Sequence, residues 1–179
     1  MRPGVIFPTG ACHIEYMSPV QAQYSEFTTM LRNHEALIYK VCYAYATDGE
    51  HLRDLYQEVV ANVWAGWDKF SGKSKVSTWI WRIAINTCIT FYKRHGKHND
   101  ADRLDDKAFA IPVDDEHARM LRDMYELIGR LDPIDKALVM LWLDEYSYEE
   151  IASVLGLTPT NVGSRLSRIR RKLSDMARE

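Results

Sequence analysis

From Ser18 to about His95 the apolar residues recur every three or four positions, with no alternating stretch and no Asn-Gly or Asp-Gly hairpin signal, so this half reads as all-α. Ser18-Pro-Val-Gln21 opens it as a capping box with proline at the first helical position. A first helix runs through Phe27, Leu31, Leu37, Ile38, Val41 and Tyr45, with a break expected near Asn33, and ends around Asp48-Gly49. A second runs from about Leu52 to Trp67, with Leu55, Val59 and Val63 along one stripe. A third carries Trp79-Ile-Trp-Arg-Ile-Ala-Ile-Asn-Thr87 on to about Arg94, and it is apolar around most of its circumference, which places it at the centre of a bundle. Phe70-Ser-Gly-Lys-Ser-Lys-Val76 breaks the periodicity and reads as a basic, aromatic-flanked loop.

Gly96 to Asp115 is acidic and aperiodic apart from Phe109-Ala-Ile-Pro112, the pattern of a flexible linker. Periodicity resumes near Glu116, where Met120, Leu121, Met124, Leu127, Ile128 and Leu131 form a stripe, and Asp132-Pro133 starts a helix through Leu138, Leu141 and Trp142. Two more helix starts follow. Ser147 with Glu150 is a capping box, and Thr158-Pro159 supplies an N-cap with proline behind it; Gly156 makes the turn between them. In the last helix Val162, Leu166, Ile169 and Leu173 face inward while Thr160, Ser164, Ser167 and Arg171 fall opposite, which is helix-turn-helix grammar. The expected fold is therefore two small helical domains joined by a flexible linker, the second ending in a helix-turn-helix. The divisions are a disordered extension at 1–17, a first domain at 18–95, a linker at 96–115 and a second domain at 116–179.

Composition changes this picture little, but charge does. The chain has 179 residues and a formal charge of only -2, yet its charges are segregated. Lys69, Lys73, Lys75, Arg82, Lys93, Arg94 and Lys97 form one basic block and the final helix another, with an acidic spacer between. No apolar run is long enough to cross a bilayer, so no membrane insertion is expected. Met1 to Tyr16 lacks the features of a signal peptide; Met17 is a second possible start. Cys12, Cys42 and Cys88 fit neither a disulfide framework nor a zinc motif and point to a reducing, cytoplasmic setting, and the scattered histidines show no ligand spacing; no metal and no cofactor are expected.

On the last helix, short hydrogen-bonding side chains lead and basic ones follow, an order that suits base edges first and phosphates second. Thr160, Asn161, Ser164, Arg165, Ser167, Arg168, Arg171 and Lys172 are the candidate DNA contacts. Asp54 and Glu58 stand one helical turn apart; catalysis by such a pair needs a convergent histidine or phosphate loop, and none stands nearby, so a solvated helix face is expected rather than an enzyme.

Asp54-Leu-Tyr-Gln-Glu58, Trp64, Phe70, Thr78-Trp79, Arg82-Ile-Ala-Ile-Asn86, Leu131-Asp-Pro133 and Ser147-Tyr-Glu-Glu-Ile-Ala152 together resemble the extracytoplasmic-function (ECF) sigma factors of the sigma-70 family, over roughly Gln21 to Leu173. The resemblance implies two partners, bacterial RNA polymerase core and promoter DNA, and many members are also held by an anti-sigma factor. It assigns Asp54, Gln57, Glu58 and Trp64 to polymerase docking. It assigns Phe70, Lys73, Lys75, Trp81, Arg82 and Asn86 to capture of the -10 element as a single strand, with Asn86 bonding a flipped base. The helix-turn-helix would take the -35 duplex. Periodicity makes Trp79 a core residue and leaves Trp81 open between core and DNA. Gly163 departs from the family, which commonly has lysine or arginine there; close approach to DNA or relaxed selection would account for it. The alternative reading is a polymerase-independent dimeric helix-turn-helix regulator.

Overall fold

Several helix boundaries follow from local signals. In the computed structural model, which describes residues 19–95 and 116–178, the helices are α1 (Pro19–Tyr45), α2 (Gly49–Trp67), α3 (Val76–His95), α4 (Glu116–Gly129), α5 (Pro133–Leu143), α6 (Tyr148–Leu155) and α7 (Pro159–Met176). There is no strand among the described residues, as an all-α sequence requires. Asp48 starts α2 by accepting the His51 N–H at 2.8 Å, and this bond holds its carboxyl below the usual aspartate range. α1 runs unbroken through Asn33, whose side chain lies in solvent and so does not compete with the helix backbone. The N-terminal extension at 1–17, the Ser18 cap and the acidic linker at 96–115 lie outside the described residues.

Helix α3 is central, packing on both α1 and α2. Ile80, Trp81, Ala84, Ile85 and Cys88 are buried against Ile38, Val41, Cys42 and Tyr45 of α1 and Leu55, Val59 and Val63 of α2. Burying each Leu or Ile contributes about 1.5–3 kcal/mol. Cys42 and Cys88 are free, fully buried thiols; a hydrogen bond with Cys42 and burial push the Cys88 thiol up, so both behave as core residues. In the second half α5 is the core helix, with Ala137, Leu138 and Leu141 buried against Ile151 of α6 and Val162, Leu166 and Ile169 of α7. The α4 stripe turns partly outward: Ile128 is buried and Met124 half-buried, but Met120 is 68% and Leu121 51% exposed.

The halves meet along a seam. Lys40 of α1 bonds both carboxylate oxygens of Asp144 at 2.5 Å, and its ammonium sits 5.4 Å from the Trp81 ring centroid. Tyr146 packs edge-on against Trp81 at 6.4 Å and donates to Ser77 at 3.3 Å. The Tyr45 hydroxyl donates to the Pro133 carbonyl at 2.5 Å, and the buried Lys136 ammonium lies 5.5 Å from the Tyr45 ring and 5.9 Å from that of Tyr92. Tyr43 meets Tyr125 edge to face at 5.2 Å, and burial, then the charge of Asp144, pushes the Tyr125 phenol up to about 12.

The turn after α5 delivers Asp144 and Tyr146 to this seam. Glu145 N–H bonds the Trp142 carbonyl and Tyr146 N–H the Leu141 carbonyl, a Schellman closure with Glu145 at φ 62 where glycine is usual. A left-handed conformation costs an L-residue about 1–2 kcal/mol. Glu145→Gly should therefore raise stability by roughly 0.5–1 kcal/mol in urea denaturation, after allowing for the entropy glycine loses; a loss of stability would contradict this account of the turn.

Candidate nucleic-acid interface

Three surfaces carry the residues singled out by the sequence. On α2 the apolar stripe Leu52, Leu55, Val59 and Val63 fixes the helix rotation, so that Asp54, Gln57, Glu58 and Trp64 all face solvent. Trp64 is 44% exposed and is held edge-on by Phe27 at 4.6 Å and Tyr24 at 6.2 Å. A rigid, half-exposed indole and two exposed carboxylates on one helix suit a protein interface with basic partner residues. Toward the other end of α2 an open groove between α1 and α2 is lined by Glu35, Tyr39, Glu50, Arg53, Tyr56 and Gln57.

The second surface is the loop before α3 and the outer face of that helix. Phe70 is anchored: it stacks on Trp67 at 6.0 Å with 10° between planes and lies 5.0 Å from Trp79. Gly66 makes room for this aromatic cluster, since a Cβ there would meet the Trp79 ring at 3.1 Å. Trp79 is accordingly half-buried in a ring stack, in keeping with its reading as a core residue. Lys73 and Lys75 stand exposed on the loop, and Arg82 and Asn86 are exposed one turn apart on α3. Trp81 is different. It is fully buried in the seam between Lys40 and Tyr146, so in this arrangement it touches protein rather than solvent. Arg82 is engaged too, donating to the Ser153 carbonyl at 2.8 Å and its hydroxyl at 3.2 Å. Ser153 lies in the last turn of α6, where carbonyls lack helical partners and the helix dipole is negative, which explains why a guanidinium settles there.

The third surface is α7. Ser147 closes the capping box on α6 and Gly156 takes the left-handed C-cap at φ 68, so the angle between α6 and α7 is set by local chemistry. Val162, Leu166 and Ile169 bury one side of α7, leaving Thr160, Asn161, Ser164, Ser167, Arg168, Arg171 and Lys172 exposed. Arg165 departs from this set: it is half-buried and pairs with Asp135 of α5 at 2.8 Å, tying α7 to α5. Arg170 is likewise turned aside, with its guanidinium over the Trp142 ring at 4.5 Å. Gly163 sits close to an aromatic ring of α6. A Cβ there would stand 3.3 Å from the Tyr148 ring, which lies against the helix at that point. Among the described residues no group of three or more His, Cys, Asp or Glu side chains is placed to hold a metal ion.

The sequence did not point to Lys40, Tyr45, Lys136, Asp144 or Tyr146, because the pairs they form span the two halves; Lys40 and Asp144 are 104 positions apart. Nor did it reveal that Ser153 accepts from Arg82.

The capping box makes a pH-dependent prediction. Bonds from the Ser147 backbone and side chain hold the Glu150 carboxyl below the ordinary glutamate range. A depressed folded-state pKa means that this stabilisation is present above the unfolded value and is lost as pH falls through the folded one. Thermal unfolding followed between neutral and acid pH should show Glu150→Gln lowering Tm at neutral pH and the gap to wild type narrowing in acid; a constant gap would contradict a contribution from ionised Glu150.

The chain matches the family description "Sigma-70 region 2" over residues 30–98 and "Sigma-70, region 4" over residues 121–173. It is 28% identical over 131 residues to the RNA polymerase sigma factor YlaC of Bacillus subtilis, covering 69% of this chain and 76% of that one. It is 25% identical over 176 residues to the ECF RNA polymerase sigma factor SigE of Mycolicibacterium smegmatis, covering 94% of this chain and 67% of that one. Its fold is similar to that of the sigma factor RpoE from Bartonella quintana, solved in complex with the anti-sigma factor NepR, with a TM-score of 0.66 and 18% identity over 86% of this chain and 98% of that one. Two sigma-70 regions in the expected order, on a fold shared with sigma factors, show that this chain belongs to the sigma-70 family, in its ECF group.

Proposed function

We propose that this protein is a sigma factor that binds bacterial RNA polymerase core and directs it to promoters, with residues 18–95 contacting core and opening the -10 element and residues 116–179 holding the -35 duplex. The carrying observation is that one chain presents three differently built surfaces. They are a set of exposed carboxylates and an exposed indole on α2, a basic loop leading to an exposed Asn86 on α3, and a helix-turn-helix with a polar, basic outer face. Each surface suits one step of initiation, and a regulator acting alone on duplex DNA needs only the third.

Asp54, Gln57, Glu58 and Trp64 dock on polymerase. Phe70 and its ring stack brace the loop, Lys73 and Lys75 hold the backbone of the opened strand, and Asn86, with amide donors and acceptor free to reach out, bonds an extruded base. Trp81 and Arg82 join this site once the seam parts. On α7, Thr160, Asn161, Ser164 and Ser167 face base edges, and Arg168, Arg171 and Lys172 face phosphates; Arg165 supports the helix through Asp135. The protein binds and positions without chemistry of its own. No helix among the described residues is long and apolar enough to cross a membrane, and the proposed partners place it in the cytoplasm.

The test is in vitro transcription with purified bacterial core polymerase on genomic fragments from the source organism. Wild type should give discrete transcripts, and Asn86→Ala should reduce them about tenfold or more while leaving core affinity within about twofold, since the loss of a buried base contact is worth about 1–3 kcal/mol. Specific duplex binding by the chain alone, with no transcript from core, would replace this reading with the dimeric regulator.

A further inference from the structure

We infer that Tyr148 of α6 is a further DNA contact of this chain: its phenol, held against Gly163, donates to a backbone phosphate on the flank of α7 where Arg170 is turned aside. The inference deepens the -35 reading above and rests on α7 lying in duplex DNA, not on polymerase.

The two flanks of α7 differ. Val162, Leu166 and Ile169 point inward, so a turn of about 100° per residue puts Asn161, Arg168 and Lys172 on one flank and Gly163, Ser167, Arg170 and Ser174 toward the other. Arg168 and Lys172 stand exposed on the first. On the second, Arg170 lays its guanidinium over the Trp142 ring at 4.5 Å, and residue 163 has no side chain. The Tyr148 ring takes that space: it lies 3.3 Å from where a Cβ of residue 163 would stand, and the residue is 39% exposed. Exposed Thr160 and Ser167 lie about one turn to either side of Gly163, so the phenol stands beside the polar outer face of the helix.

A helix fills the major groove, which is about 12 Å wide, so its outer face meets base edges and its flanks meet the phosphate walls. Arg168 and Lys172 answer one wall with charge. The other wall meets a phenol, a neutral donor that bonds a phosphate oxygen without releasing a counterion. The Tyr148 ring turns on only two side-chain torsions and already lies against α7, so it loses little freedom on binding. Because the ring belongs to α6, one bond to the backbone anchors both helices of the motif and sets how α7 sits in the groove.

The test uses the full chain, with and without core polymerase, on a fluorescein-labelled duplex carrying the -35 element of a promoter it transcribes. Tyr148→Phe keeps the ring on Gly163 and removes only the hydroxyl. It should bind about tenfold more weakly at every salt concentration, with an unchanged slope of log affinity against log salt. Lys172→Gln should instead flatten that slope by about 0.9. In duplexes bearing single methylphosphonates, one neutralised phosphate should weaken wild type and leave Tyr148→Phe unaffected. Equal affinities of Tyr148→Phe and wild type, or no phosphate that separates them, overturn the contact. Should the chain alone bind a duplex while core gives no transcript, the proposed function fails and the same comparison on that duplex still decides on Tyr148. An absence of specific duplex binding both with and without core overturns the two together.

Discussion

One helix sets the terms for the rest of this molecule. α3 is apolar around most of its circumference, and a helix of that kind must be covered on more than one side. α1 and α2 cover two of its faces through Ile38, Val41, Leu55, Val59 and Val63, and the turn after α5 covers Trp81 on a third. What remains in solvent is the strip with Arg82 and Asn86, and that strip abuts the loop with Lys73 and Lys75. The same burial that builds the bundle therefore leaves one polar, basic ribbon beside it, and the placement of function follows from the packing.

The helix-turn-helix obeys a parallel constraint at smaller scale. Eight residues of α6 cannot hold an angle to α7 by core packing alone. The angle comes from caps: Ser147 with Glu150 at one end, the left-handed Gly156 at the other, and Thr158 accepting from Asn161 to start α7. Two inter-helix locks then fix rotation, with Arg165 bound to Asp135 and the Tyr148 ring against Gly163. Arg165 and Arg170 are turned to protein, while Arg168, Arg171 and Lys172 stand outward.

Local signals were legible and distant ones were not. Capping boxes, prolines at helix starts and the turn glycine depend on neighbours in sequence, and α6 and α7 begin where those signals put them. The end of α5 carried no such signal, because Glu145 adopts a glycine-like conformation without being glycine. The expected break at Asn33 gave too much weight to one weak helix former inside a helix held by tertiary packing. The candidate DNA set was readable as a group but not residue by residue: periodicity tells which side of a helix is apolar, not whether another unit lies over it. That is why Trp81 could not be assigned from its position in α3, and why Arg82, exposed by periodicity, turns out to cap α6. The Gly163 position likewise depends on a ring from another helix.

The account stands on one claim, that a chain with these three surfaces opens promoter DNA together with polymerase. Permanganate, which oxidises unpaired thymines, reads this directly on a promoter fragment mixed with core polymerase and the chain. The account predicts reactive thymines confined to one short stretch upstream of the transcript start, present only when chain and core are combined. Thymines that stay unreactive while the chain alone protects the duplex would contradict it.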